Sequence, residues 1–435
     1  MKRLFFGGIH PKDKKAMSAN VPTLNSVVPT EVVIPLKQHV GVSCAPLVEV
    51  GDRVLRGQKI GDGEGLCVPV HASVAGTVKA IEERLQLNGQ MVLSVVIEND
   101  KTDEAVSALP ADSQDDEAIL HAIREAGLVG MGGAAFPGDV KALTSLGKVD
   151  CLIANACECE PYITADDALL RTAPERVLRG MQLMQKVLRP ARTVLAIEDN
   201  KKEAVALIRE KIGQYEGIEL VVLPTRYPQG SEKQLVQTVT KREVPPGKFP
   251  VDVGCVVFNV TSFAAMATAV YEGVPLTERI VTVTGEAVAQ PQNLLVRIGT
   301  PIEALIEAAG GLTNEADRVI SGGPMMGFAQ AALTAPVVKA TGAVLCLPKA
   351  KQAPAGEDVC IRCGRCLRVC PMGLQPLYLH RFAAAGDVEE LKRLHILDCM
   401  ECGSCAYTCP GKLDVVELLR RGKQLVREAE KEETK

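Results

Sequence analysis

Between residues 30 and 100 the chain runs in short β-branched stretches broken by glycine. "PLVEVGDRVLRGQKIG" and "VPVHASVAGTVKAIE" alternate apolar and polar positions and turn at Gly-Asp and Ala-Gly pairs, which predicts half-buried strands of period two. A polar, acidic linker, "LPADSQDDEAI" at 109–119, ends this region. The period then lengthens. "DEAILHAIREAG" is amphipathic at helical spacing, "VDCLIANA" reads as a strand and "LLRTAPERVLRGMQLMQKVL" as helical. "ARTVLAIED" is a strand, "NKKEAVALIREKI" a helix and "IELVVLP" a strand. Strands alternating with helices of this length predict βα units around a mostly parallel sheet. The order strand, turn, strand, helix in "RIVTVTGEAVAQPQNLLVRIGTPIEALIEAAGG" suggests a small β-grasp unit within 278–345. From about residue 350 the pattern is helical, and it ends in "VREAEKEETK", a charged tail expected to be solvated or frayed.

The expectation is a multidomain α/β protein, since 435 residues exceed what one compact core accommodates. Its divisions are 1–112, 113–276, 277–348 and 349–425, with 426–435 as the tail. The first division resembles the barrel-sandwich fold of biotinyl and lipoyl carriers. Those carriers modify a hairpin lysine, whereas no lysine lies between Lys59 and Lys79 here, so a docking or structural module is expected. A net charge of -4 and an aromatic content of 3% without tryptophan argue against nucleic-acid binding. "MKRLFFGGIHPKDKK" breaks its apolar run too early for a signal peptide or anchor. The uncharged stretch Val253–Tyr271 is long enough to span a bilayer. It nevertheless reads as a strand, a polar break at Asn259, Thr261 and Ser262, then an Ala-rich helix, so no transmembrane segment is expected.

Fifteen cysteines without a secretion signal point to a reducing compartment, where thiols bind metals. Eight fall in two runs of identical spacing, "CIRCGRCLRVCPMG" and, 39 residues on, "CMECGSCAYTCPGK". Zinc sites usually pair CxxC units across a longer loop, whereas CxxCxxC followed by a fourth cysteine and proline is the two-cluster ferredoxin signature. Two [4Fe–4S] clusters are therefore expected, with zinc as the alternative. The signature crosses its ligands: Cys360, Cys363, Cys366 and Cys409 hold one cluster, and Cys399, Cys402, Cys405 and Cys370 the other. The simpler alternative keeps each cluster within one run. The 28 residues between Cys370 and Cys399 carry helical spacing, so the module resembles the α-helical ferredoxin type rather than a minimal ferredoxin. Arg362, Arg365 and Arg368 form a basic rim, either for an acidic redox partner or as a solvated helix face. Of the other seven cysteines, most are expected to be small buried hydrophobes.

"EAGLVGMGGAAFPGDVKAL" at 125–143 supplies a glycine loop preceded by a helix, which excludes a dinucleotide fingerprint of the strand-first kind. The loop resembles the flavin loop of the complex I NADH-binding (51 kDa) subunit. "NACECEPYITAD" (155–166), "YPQGSEKQL" (227–235) and "VFNVTSFAAM" (257–266) resemble three further segments of that family, in its order. Together with "GGIHP", "PLKQHVG" and the double cysteine run, nearly the whole chain to about residue 415 resembles the RnfC family, which supplies one subunit of the Rnf ion-translocating ferredoxin:NAD+ oxidoreductase. The cobalamin reductase of bacterial microcompartments shares the flavin and cluster parts but begins at the flavin segment.

The resemblance implies a barrel-sandwich module at 1–112, a flavin- and NADH-binding domain at 113–276, an SLBB-like β-grasp unit at 277–348 and a ferredoxin domain at 349–425. It also implies non-covalent FMN with NAD(H) as substrate. Gly132, Gly133 and Lys141 would line the flavin or nicotinamide side, Asn155, Glu158 and Glu160 would contact flavin and NADH, Tyr227, Gly230 and Glu232 would form a second wall, and Asn259 and Thr261 the flavin-phosphate region. Four positions depart from the complex I pattern: Met131 for arginine, Ala135 for glycine, Cys157 for aspartate and Ser231 for glutamate. Cys157 and Cys159 are expected to pack separately, since alternate positions at a strand end diverge. The six histidines form no spaced set and read as structural; no Ser–His–Asp grouping or P-loop stands out.

The implied function is an NADH/ferredoxin oxidoreductase subunit, peripheral on the cytoplasmic face of the membrane. It would exchange hydride between NAD(H) and FMN and relay single electrons through two clusters, without a catalytic acid or base. The implied partners are other Rnf subunits, namely the iron–sulfur protein RnfB and the membrane subunits that move ions, and ferredoxin indirectly. The alternatives are cobalamin reduction and a non-enzymatic iron–sulfur electron adapter.

Overall fold

The computed structural model describes residues 5–19, 25–111, 115–313, 316–349 and 360–433. Part of the acidic linker and the boundaries expected at 112/113 lie outside these residues, as does the first part of the 349–425 division.

The period-two region folds as two small antiparallel sheets. One orders Glu31–Pro35, Met91–Asn99, Gly76–Leu85 and Arg53–Val54; the other orders Ala45–Pro46, Lys59–Asp62 and Val70–His71. Their inward positions, among them Val32, Ile34, Val54, Ile60, Val70, Val95 and Ile97, make one sealed core, the half-buried arrangement that alternation predicts.

Next comes a four-stranded, wholly parallel sheet in the order Ile218–Leu223, Arg192–Glu198, Cys151–Ala156, Cys255–Asn259. In chain order the strands run 3-2-1-4, so the winding reverses between Cys151–Ala156 and Cys255–Asn259. The long helical stretch is two helices, Ala165–Thr172 and Pro174–Leu188; the break falls where proline cannot continue a preceding turn. Pro174–Leu188 packs on Val260–Ala267 so closely that a Cβ on Gly180 would stand 1.9 Å from the Phe263 carbonyl oxygen. Val253–Tyr271 becomes a strand, this short helix and a final π turn at Thr268–Glu272. Among the described residues no helix is long and apolar enough to cross a membrane.

The β-grasp stretch contributes to a six-stranded mixed sheet, in which Glu278–Thr284 pairs with Gln292–Arg297 and Ile302–Ala308 follows as the helix. An N-terminal strand, Asn25–Val27, completes one edge by pairing with Gln292–Arg297. The first residues thus leave the barrel-sandwich they were grouped with. Residues 8 and 9 reach two later modules: Ile9 exchanges backbone hydrogen bonds with Tyr227, and Gly8 N–H donates to the Val369 carbonyl.

The C-terminal module is helical around Leu379, Ala383, Leu391, Ile396, Leu419 and Val426. In the charged tail Arg427, Glu428, Glu432 and Glu433 are exposed, but its start is helical and packed. The helix Val415–Glu433 continues through it, Val426 is fully buried, and Lys392 bonds Glu433 at 2.6 Å. Charge on the outer face concealed an apolar stripe on the inner one.

Candidate functional site

In an open parallel sheet, ligands gather beyond the carboxyl ends of the strands where the winding reverses. The expected residues converge there. Asn155 and Asn259 are register partners at the ends of the two strands flanking the reversal. The glycine loop folds over them: Gly132, Gly133 and Ala134 are exposed, and a Cβ on Gly132 would stand 3.3 Å from that of Asn259. Gly133 has φ +120° with open space around it, a conformation glycine adopts freely. The loop is pinned through Ser262, whose hydroxyl accepts from Met131 N–H at 3.0 Å and donates to the Val129 carbonyl.

Beneath the loop the polar side chains are bound mostly to one another. Asn259 caps its helix by accepting from Thr261 N–H and donates to Asp166 at 2.7 Å, and the Thr261 hydroxyl donates to the same carboxylate at 2.8 Å. Removal from water, with Glu158 nearby, pushes Asp166 up to about 6. Glu158 is itself held by Asp166 N–H and by the buried Lys201 ammonium, each at 2.8 Å. The Asn155 amide donates to the Gly230 carbonyl and its oxygen accepts from Cys157 N–H. Lys141 is paired with Glu232 and lies 5.3 Å from the centre of the Phe258 ring. Glu158, Asn259 and Thr261 therefore form an orienting network through Asp166, with Asn155 fixed separately on the backbone of Gly230 and Cys157, while the glycine loop is the open face.

The second wall faces the cysteine module. Tyr227, 2% exposed, donates its hydroxyl to the Cys402 carbonyl at 2.8 Å. Gly230 fits because a side chain there would stand 2.2 Å from the Cys157 carbonyl oxygen. Glu160 accepts from Met325 N–H at 3.2 Å, and burial raises its carboxyl to about 7. Gln234 donates to the Pro371 carbonyl at 3.2 Å. Cys157 and Cys159 diverge as expected. Cys157 Sγ faces the Ala196 carbonyl, whereas Cys159 Sγ receives Gly230 N–H and packs with Ile9, Tyr227 and Cys402.

The eight clustered cysteines line two cavities. One is bounded by Cys370, Cys399, Cys402 and Cys405, the other by Cys360, Cys363, Cys366 and Cys409. Each cavity draws three cysteines from one run and one from the other. Only the first is joined to the flavin-side wall by the contacts just given, at Cys402 and Pro371, so we call it the inner set and the other the outer set. Burial pushes the Cys399 thiol up to about 11 and raises those of Cys405 and Cys370. A bound cation is what turns thiols desolvated like these three into thiolates, so the donor chemistry fits an iron–sulfur cluster. Arg362, Arg365 and Arg368 are exposed beside the outer set.

A polar cofactor also fits the sheet edge. Asn200, just past the strand Arg192–Glu198, has both side-chain amide atoms buried without a hydrogen-bond partner among the described residues, an arrangement that calls for a ligand or water. The family resemblance, carried over residue by residue, missed Asn200, Lys201, Asp166 and Gln234. Asp166 and Gln234 lie in stretches that had been singled out, whereas Asn200 and Lys201 carry no local signal. Lys15 was missed as well. It crosses from the N-terminal segment to donate to the Glu160 and Ile163 carbonyls.

Family comparisons divide the chain in the same order. Residues 3–102 match the RnfC barrel sandwich hybrid domain, 123–268 the Nuo51 FMN-binding domain, 280–329 the SLBB domain and 355–410 the 4Fe-4S dicluster domain. The chain is 43% identical over 385 residues to the corresponding subunit of the Na(+)-translocating ferredoxin:NAD(+) oxidoreductase complex of Acetobacterium woodii, with 87% of each chain covered. It is 42% identical to that of the Proton-translocating ferredoxin:NAD(+) oxidoreductase complex of Clostridium ljungdahlii, covering 97% of this chain and 93% of that one. The counterpart in the Ion-translocating oxidoreductase complex of Pectobacterium carotovorum is 38% identical, but the match spans only 57% of its length. An NAD+-reducing [NiFe]-hydrogenase crystal structure in the air-oxidized state shares the fold over 73% of this chain and 65% of its own (TM-score 0.50, 20% identity).

Proposed function

Since the chain belongs to the RnfC family of electron-transport subunits, we propose that it is the peripheral subunit through which an Rnf-type complex exchanges electrons with NAD(H). Bound FMN and two [4Fe–4S] clusters would supply the chemistry, taking a hydride from NADH and passing its electrons on singly. The chain's residues bind and orient. Gly132 and Gly133 leave a flat approach to the sheet edge. Glu158, Asn259, Thr261 and Asp166 hold one another fixed and Asn155 is held by the Gly230 carbonyl and Cys157 N–H, so the surface beneath a bound ring is set before it arrives. Lys141 with Glu232, Glu160 and Tyr227 close the sides.

Cys370, Cys399, Cys402 and Cys405 would hold the inner cluster; Cys360, Cys363, Cys366 and Cys409 would hold the outer one, where the arginine rim offers a contact for an acidic partner. Further members of the complex, the iron–sulfur protein RnfB and membrane subunits among them, would carry electrons toward ferredoxin and move the ions, with this chain on the cytoplasmic face. The observation that carries the reading is the junction itself: Tyr227 and Gln234, on the flavin-side wall, bond directly to the backbone around Cys402 and Cys370.

The test is anaerobic. Full-length chain loaded with iron, sulfide and FMN should lose its visible flavin absorbance on addition of NADH. Unchanged absorbance at saturating NADH would refute the exchange of hydride and leave an electron adapter.

A further inference from the structure

Two tight loops of the barrel-sandwich press together. A Cβ on Gly41 would stand 2.0 Å from the Leu66 carbonyl oxygen, and Val42 N–H donates to that same oxygen at 3.1 Å. Between the loops meet Cys44, Cys67 and His39, which are 4%, 2% and 6% exposed. Their donor atoms lie within 4.8 Å of one another: Sγ to Sγ 3.3 Å, and the two sulfurs 3.9 and 3.7 Å from His39 Nε2. A tetrahedral zinc ion with Zn–S near 2.3 Å and Zn–N near 2.0–2.1 Å sets edges of about 3.8 Å between sulfurs and about 3.6 Å from sulfur to nitrogen. The observed sulfur–sulfur edge is about 0.5 Å shorter than this and the two sulfur–nitrogen edges are about 0.1 and 0.3 Å longer, so a small side-chain adjustment would close the three donors on one ion.

The surroundings suit a metal. The other ring nitrogen, Nδ1, faces the Val40 carbonyl at 3.2 Å, the kind of contact that turns Nε2 toward a metal. The Val68 carbonyl lies 3.3 and 3.9 Å from the two sulfurs and is placed to be a fourth donor. Val68 N–H, which donates to Nε2 at 3.3 Å, would turn to a thiolate when Nε2 binds. The buried Lys339 ammonium, bonded to the Pro69 and Gly127 carbonyls, acts electrostatically on both thiols.

We propose that His39, Cys44 and Cys67 bind a structural zinc ion, separate from the iron–sulfur cysteines. Binding releases two thiol protons to solvent as two Zn–S bonds and one Zn–N bond form. The site also has a purpose in the fold. Val40 N–H, next to His39, donates to the Ala135 carbonyl at 3.1 Å, and Ala135 sits in the glycine loop at φ +50°. A metal that fixes residues 39–44 would prop that loop from behind.

Full-length chain with its iron restored, equilibrated anaerobically with Zn2+ and dialysed, should retain about one zinc beside about eight irons. X-ray absorption at the zinc edge should show two sulfurs near ~2.3 Å and nitrogen or oxygen near ~2.0–2.1 Å. Cys44→Ser and Cys67→Ser should lose the zinc and keep the iron. Three results would overturn the proposal: no retained zinc, a shell of four sulfurs (metal misplaced in the ferredoxin cysteines), or a Cys44–Cys67 disulfide in anaerobically alkylated protein. Should the variants not fold, the spectrum of the unsubstituted chain decides.

Discussion

Tyr227→Phe removes one hydroxyl from the junction between the flavin-side wall and the inner cysteine loop and leaves the ring in place. The bond lost is the 2.8 Å contact to the Cys402 carbonyl, made by a side chain 2% exposed. No cavity larger than an oxygen atom opens, so packing changes little. The cost is that of stranding a buried acceptor, about 1–3 kcal/mol. Expressed as an equilibrium between docked and undocked loop, that is a weakening of roughly 5- to 150-fold. Native-state hydrogen exchange on the anaerobic, cluster-loaded chain reads it directly, since local opening is reported amide by amide. Amides of Cys399–Cys405 should exchange faster by that factor, while those of the distant strand Met91–Asn99 keep their rates. Equal exchange at Cys399–Cys405 in both proteins would show that the hydroxyl does not hold the loop, and the junction would lose its main support.

Other outcomes follow from single contacts. Gly230→Ala should lose bound FMN, measured as flavin per chain after gel filtration, because its Cβ would meet the Cys157 carbonyl at 2.2 Å and force the second wall outward. Gly180→Ala should lower the melting temperature through overpacking of about 1–3 kcal/mol, since the Phe263 carbonyl stands 1.9 Å from the added carbon. Glu160 titrates near 7 when folded against an ordinary 4.5, so the folded chain holds a proton that the unfolded chain has released. Stability therefore falls as pH rises from about 4.5 to about 7. Glu160→Gln should escape that fall, by at most about 3 kcal/mol at 1.36 kcal/mol per unit, in thermal melts of cofactor-free protein across the window.

What could be read from the chain alone followed the range of the interaction. The cysteine runs were legible because cluster ligation imposes a local spacing, and the barrel-sandwich because its alternation lies within each strand. The parallel sheet was legible from its alternating elements. The paths of the N-terminal residues were not. Asn25–Val27 enters a sheet through Leu294, far along the chain, and Lys15 looks like any surface lysine until Glu160 and Ile163 are brought to it. The last helix lies in the region read as helical, but its charges hid that it runs on through the tail with Val415, Leu419, Gly422 and Val426 recurring at helical spacing. His39, Cys44 and Cys67 were read as separate structural residues because only the folding of two loops brings them together. In the site, the family resemblance pointed to Asn155, Glu158, Asn259 and Thr261; the bonds that make Glu158, Asn259 and Thr261 orienting groups depend on Asp166 and Lys201.

The most direct test of the account removes one cysteine set at a time. A chain with Cys360, Cys363, Cys366 and Cys409 all changed to serine, loaded anaerobically with FMN and iron–sulfur, should keep about four irons and show an electron paramagnetic resonance signal from its remaining cluster when NADH is added. The complementary chain, with Cys370, Cys399, Cys402 and Cys405 changed, should keep a cluster that dithionite reduces and NADH does not. Loss of all iron from the first chain, or equal reduction of both by NADH, would contradict the crossed sets and the placing of the inner one against the flavin-side wall.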